Sequence, residues 1–290
     1  TIVRDNKGLL WNRGKRKTPV ISNDPKAVYL NEDPLRNRSL RRPSQTLDEN
    51  KTLSPEFITN REGIGSTGIT PADPTLCVGP DNIIQMVNGP SGAYFQVYDK
   101  SGNAITDAIY LDNLVDGAGY SGAGDGICLY DQYADRFVMT EFGTPDGSTD
   151  INTIVMFVSA TNNPLGSWYI YKFTDPGYFP DYPKFSVWTD AWFATSRDFT
   201  LPDNNFAGIS FYAFNKSQMI AGEPNVQLQR IRLTDAEKYD GAAPINAFGP
   251  SAPTQGSPGL FTFRNDDGRT IAADADSVVL LAFDVDFQNP

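Results

Sequence analysis

One pattern recurs along this chain: a Pro or Gly, a short apolar run, a polar turn, and a second apolar run. The first copy is Asp73-Pro74-Thr75-Leu76-Cys77-Val78, a turn at Gly79-Pro80-Asp81-Asn82, then Ile83 to Val87. The second begins at Asp125-Gly126, turns through Asp131 to Asp135 and continues Arg136 to Thr140. The third begins at Asp181-Tyr182-Pro183, turns at Trp188-Thr189-Asp190 and continues Ala191 to Ala194. A weaker fourth begins at Ser257-Pro258, turns over Arg264 to Gly268 and continues Arg269 to Ala272. The leading positions 74, 126, 183 and 258 stand 52, 57 and 75 residues apart.

Runs this short, rich in β-branched and aromatic residues and broken by Gly, Asp, Asn and Pro, read as strands. Ala93-Tyr94-Phe95-Gln96-Val97-Tyr98 and Ile154-Val155-Met156-Phe157-Val158 are further examples. Helical periodicity is confined to Ser217–Ala221 and Asp235–Tyr239. A four-stranded propeller blade takes about 40–50 residues, more with long loops. The expected fold is therefore all-β: a β-propeller with about four antiparallel blades over residues 56–290. Larger propellers, of roughly six to eight blades, are common enough that these blades are expected to be part of one.

Residues 1–55 differ in texture. The first 50 hold eleven Lys/Arg against six Asp/Glu, whereas the rest holds thirteen against twenty-nine. The segment reads as a basic extended arm, suited to an acidic surface. The net charge of −11 disfavours nucleic acid and anionic membrane as partners. It is compatible with cations, with neutral glycans, or with solubility alone. Hydrophobic content of 40% is enough for a core, yet no stretch approaches the ~18 apolar residues of a membrane span. Thr1 does not open a leader, so a secreted chain of this kind is expected in processed form.

The chain has no His. That excludes Ser-His-Asp and Cys-His nucleophile systems and His-ligated zinc. Chemistry would rest on carboxylates, Tyr, Lys, Arg or an oxygen-ligated metal. Two cysteines are too few for a disulfide scaffold or a cysteine zinc site. Cys77 and Cys128 fall on first strands of adjacent copies, Leu76 aligning with Cys128 and Cys77 with Leu129. Their side chains are expected on opposite faces, which argues against a bridge.

Several segments resemble a family of secreted bacterial β-propeller proteins found in large multidomain surface proteins. Gly124-Asp125-Gly126 with Tyr130-Asp131-Gln132-Tyr133-Ala134-Asp135-Arg136-Phe137 is similar to its GDP..LYD..ADRW signature. Ser159 to Tyr169 resembles S.T.DPLGSYY, and Asp181 to Asp190 resembles DYPKFGVWPD. Gly126 departs from the usual Pro, and later blades are lacking. The resemblance covers about residues 70–290 and implies a secreted or cell-surface scaffold, with no catalytic set to carry over.

Candidate sites follow from position. Asp73, Asp125 and Asp181 stand near the starts of first strands, where a ring of carboxylates could hold Ca²⁺ or each could cap a turn. Asp131, Asp135 and Arg136 share a turn, readable as a glycosidase-type pair or as turn-holding contacts. Asp274 and Asp276, with Asp284 and Asp286, form two D-x-D pairs beside the last strand, a cation site or a solvated strand end. Trp188, Trp192, Tyr178, Phe179 and Tyr182 could stack on sugars or pack between blades. The expected function is a binding or structural module of an extracellular assembly, with protein or glycan partners. The alternative is a carbohydrate-active enzyme, a hydrolase or lyase, using carboxylates at the channel mouth.

Overall fold

Strand alternation explains the architecture. In a strand buried on both sides, successive side chains enter two different cores. Phe137 and Val138 do this: Phe137 packs with Cys77, Ile84 and Phe95 of the preceding sheet, and Val138 with Phe185 and Trp192 of the next. The computed structural model describes residues 60–115, 117–234, 239–265 and 277–287. The basic arm, Asp274, Asp276 and most of the Asp235–Tyr239 segment lie outside them.

The chain forms four antiparallel sheets in sequence order. Sheet 1 comprises β1 (Thr75–Val78), β2 (Asn82–Gly89), β3 (Gly92–Asp99) and β4 (Ile109–Tyr110). Sheet 2 comprises β5 (Tyr120–Asp131), β6 (Arg136–Pro145), β7 (Thr153–Ser159) and β8 (Trp168–Thr174). Sheet 3 comprises β9 (Tyr178–Val187), β10 (Ala191–Thr200), β11 (Phe206–Asn215) and β12 (Leu228–Leu233). Sheet 4 comprises β13 (Ala243–Pro244), β14 (Gly259–Asn265) and β15 (Ser277–Phe283). A short helix, α1 (Lys216–Ala221), follows β11, capped by Asn215 accepting from the Gln218 amide and closed by left-handed Gly222. No helix among the described residues is long and apolar enough to cross a membrane.

Three apolar clusters fill the three junctions between consecutive sheets. At the last, Phe193 and Phe211 meet Phe261 edge-on, with ring centroids 5.6 and 5.0 Å apart. First strands neighbour one another along the succession, β1 against β5, β5 against β9 and β9 against β13.

The first three copies of the repeat are the first hairpins of sheets 1, 2 and 3. Val78 pairs with Ile83, Tyr130 with Phe137 and Val187 with Trp192, which fixes their equivalence. Five residues before each of Val78, Tyr130 and Val187 the backbone passes through the left-handed region, at Asp73 (φ 39°) just ahead of β1, and at Asp125 (φ 52°) and Tyr182 (φ 52°) inside β5 and β9. In sheets 2 and 3 a bulge accompanies it. Tyr182, not Asp181, is thus the counterpart of Asp73 and Asp125. The fourth copy is one strand out of step: Gly259–Asn265 is the middle strand of sheet 4, paired on one side with the two-residue β13.

A buried ion pair ties sheet 2 to sheet 3. Asp131 Oδ1 accepts from the amides of Tyr133 and Ala134, at 3.0 Å each, and so holds the β5–β6 turn. Its Oδ2 accepts from Trp192 Nε1 and Lys216 Nζ, both at 2.9 Å. Lys216 also donates to the Trp188 carbonyl. Arg136, in the same turn, donates to the carbonyls of Ala134 and Asp135.

Asp131→Ala would leave a buried ammonium and an indole N–H unsatisfied. Its expected cost is about 3–5 kcal/mol in urea denaturation. Asp131→Ala with Lys216→Met should cost less than the sum of the two single changes, because the second removes the stranded charge.

Candidate functional site

A cleft of about 640 Å³ opens at one end of the junction between sheets 1 and 2. Its walls are the β2–β3 turn (Gly89, Pro90, Ser91, Gly92), the start of β5 (Ser121, Gly122, Ala123) and the end of β6 with its following loop (Thr144 to Thr149). Asp112, from a 3-10 turn at Leu111–Leu114, and Asp146 contribute carboxylates. Among the described residues the lining carries no Lys, Arg or aromatic side chain. Tyr94 and Tyr110 stack beside Gly89, centroids 4.1 Å apart, and support that wall from behind.

Beneath the floor lies Glu141, 1% exposed. A Cβ on Gly122 would fall 2.7 Å from its Oε1, and one on Gly92 (φ 123°) 3.1 Å from its Oε2. Glycine is required at both positions, for close approach at Gly122 and also for backbone conformation at Gly92. Glu141 accepts from the Ala93 amide at 2.9 Å and the Tyr120 hydroxyl at 2.8 Å. Burial pushes its carboxyl up to about 8, against the pull of Ala93, Tyr120 and the Gly124 amide, and nearby Asp112 adds to the rise. Burial and the Glu141 charge push the Tyr120 phenol well above its ordinary range, so it stays a donor.

The Gly122 amide donates to Asp112 Oδ2 at 3.4 Å. With Glu141 on the other side of the same glycine, standard bond lengths put the two carboxyl oxygens within about 9 Å. That separation is compatible with glycoside hydrolysis, which needs carboxyls roughly 5–9.5 Å apart. Access is not: the Glu141 oxygens are sealed under the two glycines.

Asp73 and Asp125 come together over one amide. Asn88 Nδ2 donates to Asp73 Oδ2 at 3.1 Å and to Asp125 Oδ1 at 3.3 Å, and Asn88 Oδ1 accepts from the Asp125 amide at 2.8 Å. Asp181 is buried in sheet 3 and accepts from the Tyr182 amide. Among the described residues no three His, Cys, Asp or Glu side chains gather as a metal site. Calcium at Asp73, Asp125 and Asp181 therefore stays an expectation of the sequence, open to titration.

Most of the other aromatic and acidic candidates make structural contacts within or between sheets. Asp131 faces Lys216, whereas Asp135 turns away to Tyr130 and Asn162, so the two do not form a catalytic pair. Trp188, Trp192 and Phe179 are buried; Tyr182 is exposed and carries Lys184 Nζ 3.3 Å above its ring. The Asp286 carbonyl accepts from Gln229.

No protein-family model matches the sequence, and no curated protein matches it. Solved structures with partial likeness include a GH43 β-1,3-galactosidase (TM-score 0.37, 11% identity, 66% of this chain and 39% of that one). Others are exo-β-1,3-galactanases from Clostridium thermocellum (TM-score 0.31, 14% identity, 72% and 58%) and Phanerochaete chrysosporium (TM-score 0.31, 8% identity, 73% and 60%). The chain thus spans less than two thirds of each of these.

Glu141 and Tyr120 were not legible as site residues, although one signal existed. Glu141 is the lone charge in Phe137-Val138-Met139-Thr140-Glu141-Phe142, a run otherwise fit for a doubly buried strand.

Proton linkage gives a test. Folding raises the Glu141 pKa from 4.5 to about 8, so the native state binds the extra proton between those values. Its contribution is fully present below about pH 4.5 and is lost as pH rises through 8. Urea midpoints should fall over that window in the parent protein, and Glu141→Gln should abolish this part of the slope.

Proposed function

We propose that this chain forms blades of a secreted β-propeller, that it serves as a binding module, and that the cleft between sheets 1 and 2 takes a neutral glycan. The propeller reading is supported by four successive sheets stacked face to face, with their first strands adjacent. The observation that carries the ligand class is the cleft lining. Serine and threonine hydroxyls, turn backbone and two carboxylates offer donors and acceptors to a polyol. The described lining is acidic, with Asp112 and Asp146 and no cation among the described residues, which in a chain of net charge −11 disfavours an anionic ligand.

Binding is preferred over hydrolysis because Glu141, the cleft carboxyl that would hold a proton near neutral pH, is sealed from the cleft. The enzymatic reading has one observation in its favour, the closeness of Asp112 to that same group. Access to Glu141 would require Gly92 and Gly122 to part.

Calorimetry with a panel of neutral oligosaccharides tests both readings. Binding without release of shorter sugars is expected. Thr149→Trp, on the exposed loop at the cleft wall, should weaken it at least about tenfold by filling the space, with the urea midpoint unchanged. Sugars cleaved by the parent protein and not by Glu141→Gln would establish the enzyme instead. Equal binding by parent and Thr149→Trp proteins would remove the cleft as the site.

A further inference from the structure

The two cysteines point to opposite faces of their own sheets, as the repeat alignment requires. Cys77 takes the forward face of sheet 1 and Cys128 the backward face of sheet 2. Because these sheets are neighbours, those two faces are one junction. Both residues lie in its apolar cluster, 7% and 3% exposed. Both side chains meet at Ile84: Cys77 is its cross-strand partner on β1, and Cys128 Sγ donates to its carbonyl at 3.5 Å. Both cysteines are free and buried in the structure; opposite faces keep side chains apart within one sheet, but across two stacked sheets these two faces meet in one junction.

We infer that Cys77 and Cys128 form a modification site, an intrachain disulfide made across the junction of sheets 1 and 2 by exchange with an external disulfide. Cys77 is the entry point. It sits on β1, a four-residue strand at the edge of its sheet that pairs, among the described strands, with β2, and the face of β1 away from Cys77 is open at Leu76 (61% exposed) and Val78 (47%). Fraying of such a strand exposes a thiol that the closed junction covers. The exposed Cys77 thiolate attacks a sulfur of the external disulfide, and one external thiolate leaves with a proton from solvent. A mixed disulfide on Cys77 results. As β1 closes, the Cys128 thiolate attacks the Cys77 sulfur, forming the new S–S bond and expelling the second external thiolate. The protein loses two electrons and two protons, and the external disulfide becomes two thiols.

The bond would join the edge strand to sheet 2 and close a chain segment running from 77 to 128, constraining the unfolded state. It would also clamp the junction at whose end the cleft opens.

The test is incubation of the reduced, folded chain with glutathione disulfide, followed by intact mass and peptide mapping under denaturing, non-reducing conditions. The expected result is a loss of about 2 Da, with a cross-linked peptide pair carrying Cys77 and Cys128. Cys128→Ser should retain a glutathione adduct on Cys77, since it has no second thiol to expel it. Two thiols still open to alkylation after denaturation would overturn the inference. So would stable glutathione adducts on the parent chain, or disulfide-linked dimers in place of the intrachain bond.

Discussion

Everything between sheets 2 and 3 turns on a buried carboxylate. Apolar faces attract without direction, so two stacked sheets can slide with little change in area buried. Asp131 removes that freedom. One oxygen is fixed by its own turn and the other by Trp192 and Lys216 from the next sheet, so each donor must arrive at a set place. A second polar anchor works further along the same junction. Asp175, just after β8, pairs with Arg230 and Arg232 of β12, and Arg232 reaches on to buried Asp198. Neither anchor needs to add net stability; each is costly to break, which makes a misplaced junction costly too.

The junction between sheets 1 and 2 is anchored differently, and the cleft follows from the difference. Its polar contacts are gathered at one end, where Asn88 draws Asp73 and Asp125 together and Glu141 reaches up to the Ala93 amide of β3. A carboxylate in that position needs backbone close by on several sides. Only a strand start as bare as Ser121-Gly122-Ala123, facing Gly92, allows that approach. Where side chains are missing, a space is left outside. Burial of Glu141 and the opening of the cleft are two consequences of the same glycines.

Sequence periodicity was enough to place the longer strands of the first three sheets and their first hairpin turns, though not the two-residue β4, because each apolar run answers to two cores and tolerates few polar residues. It failed where a strand is too short to carry a pattern. Ala243–Pro244 holds only two ladder positions, and missing it moved the fourth copy one strand along. Equivalence by residue type also misled: Asp181 looks like Asp73 and Asp125, but the left-handed backbone that defines the position falls on Tyr182. The ionic partner of Asp131 was out of reach, since Lys216 lies 85 residues on in the chain and carries no local sign of its burial.

The site was the least legible part, for a reason that bears on function. A catalytic carboxylate announces itself by motif; a wall made of turn backbone and small hydroxyls does not. The cleft's recognition groups are residues common in any loop, set apart only by three segments far apart in sequence meeting at one sheet junction. Such a site selects ligands by shape and hydrogen bonding, with charge acting mainly to exclude. Asp112 and Asp146, with no cation beside them among the described lining residues, repel anions while still accepting from hydroxyls. Screening weakens repulsion of charged competitors more than it weakens hydrogen bonds to a neutral ligand. Affinity for a neutral glycan should therefore hold as salt rises, whereas a binding site built on ion pairs would lose it.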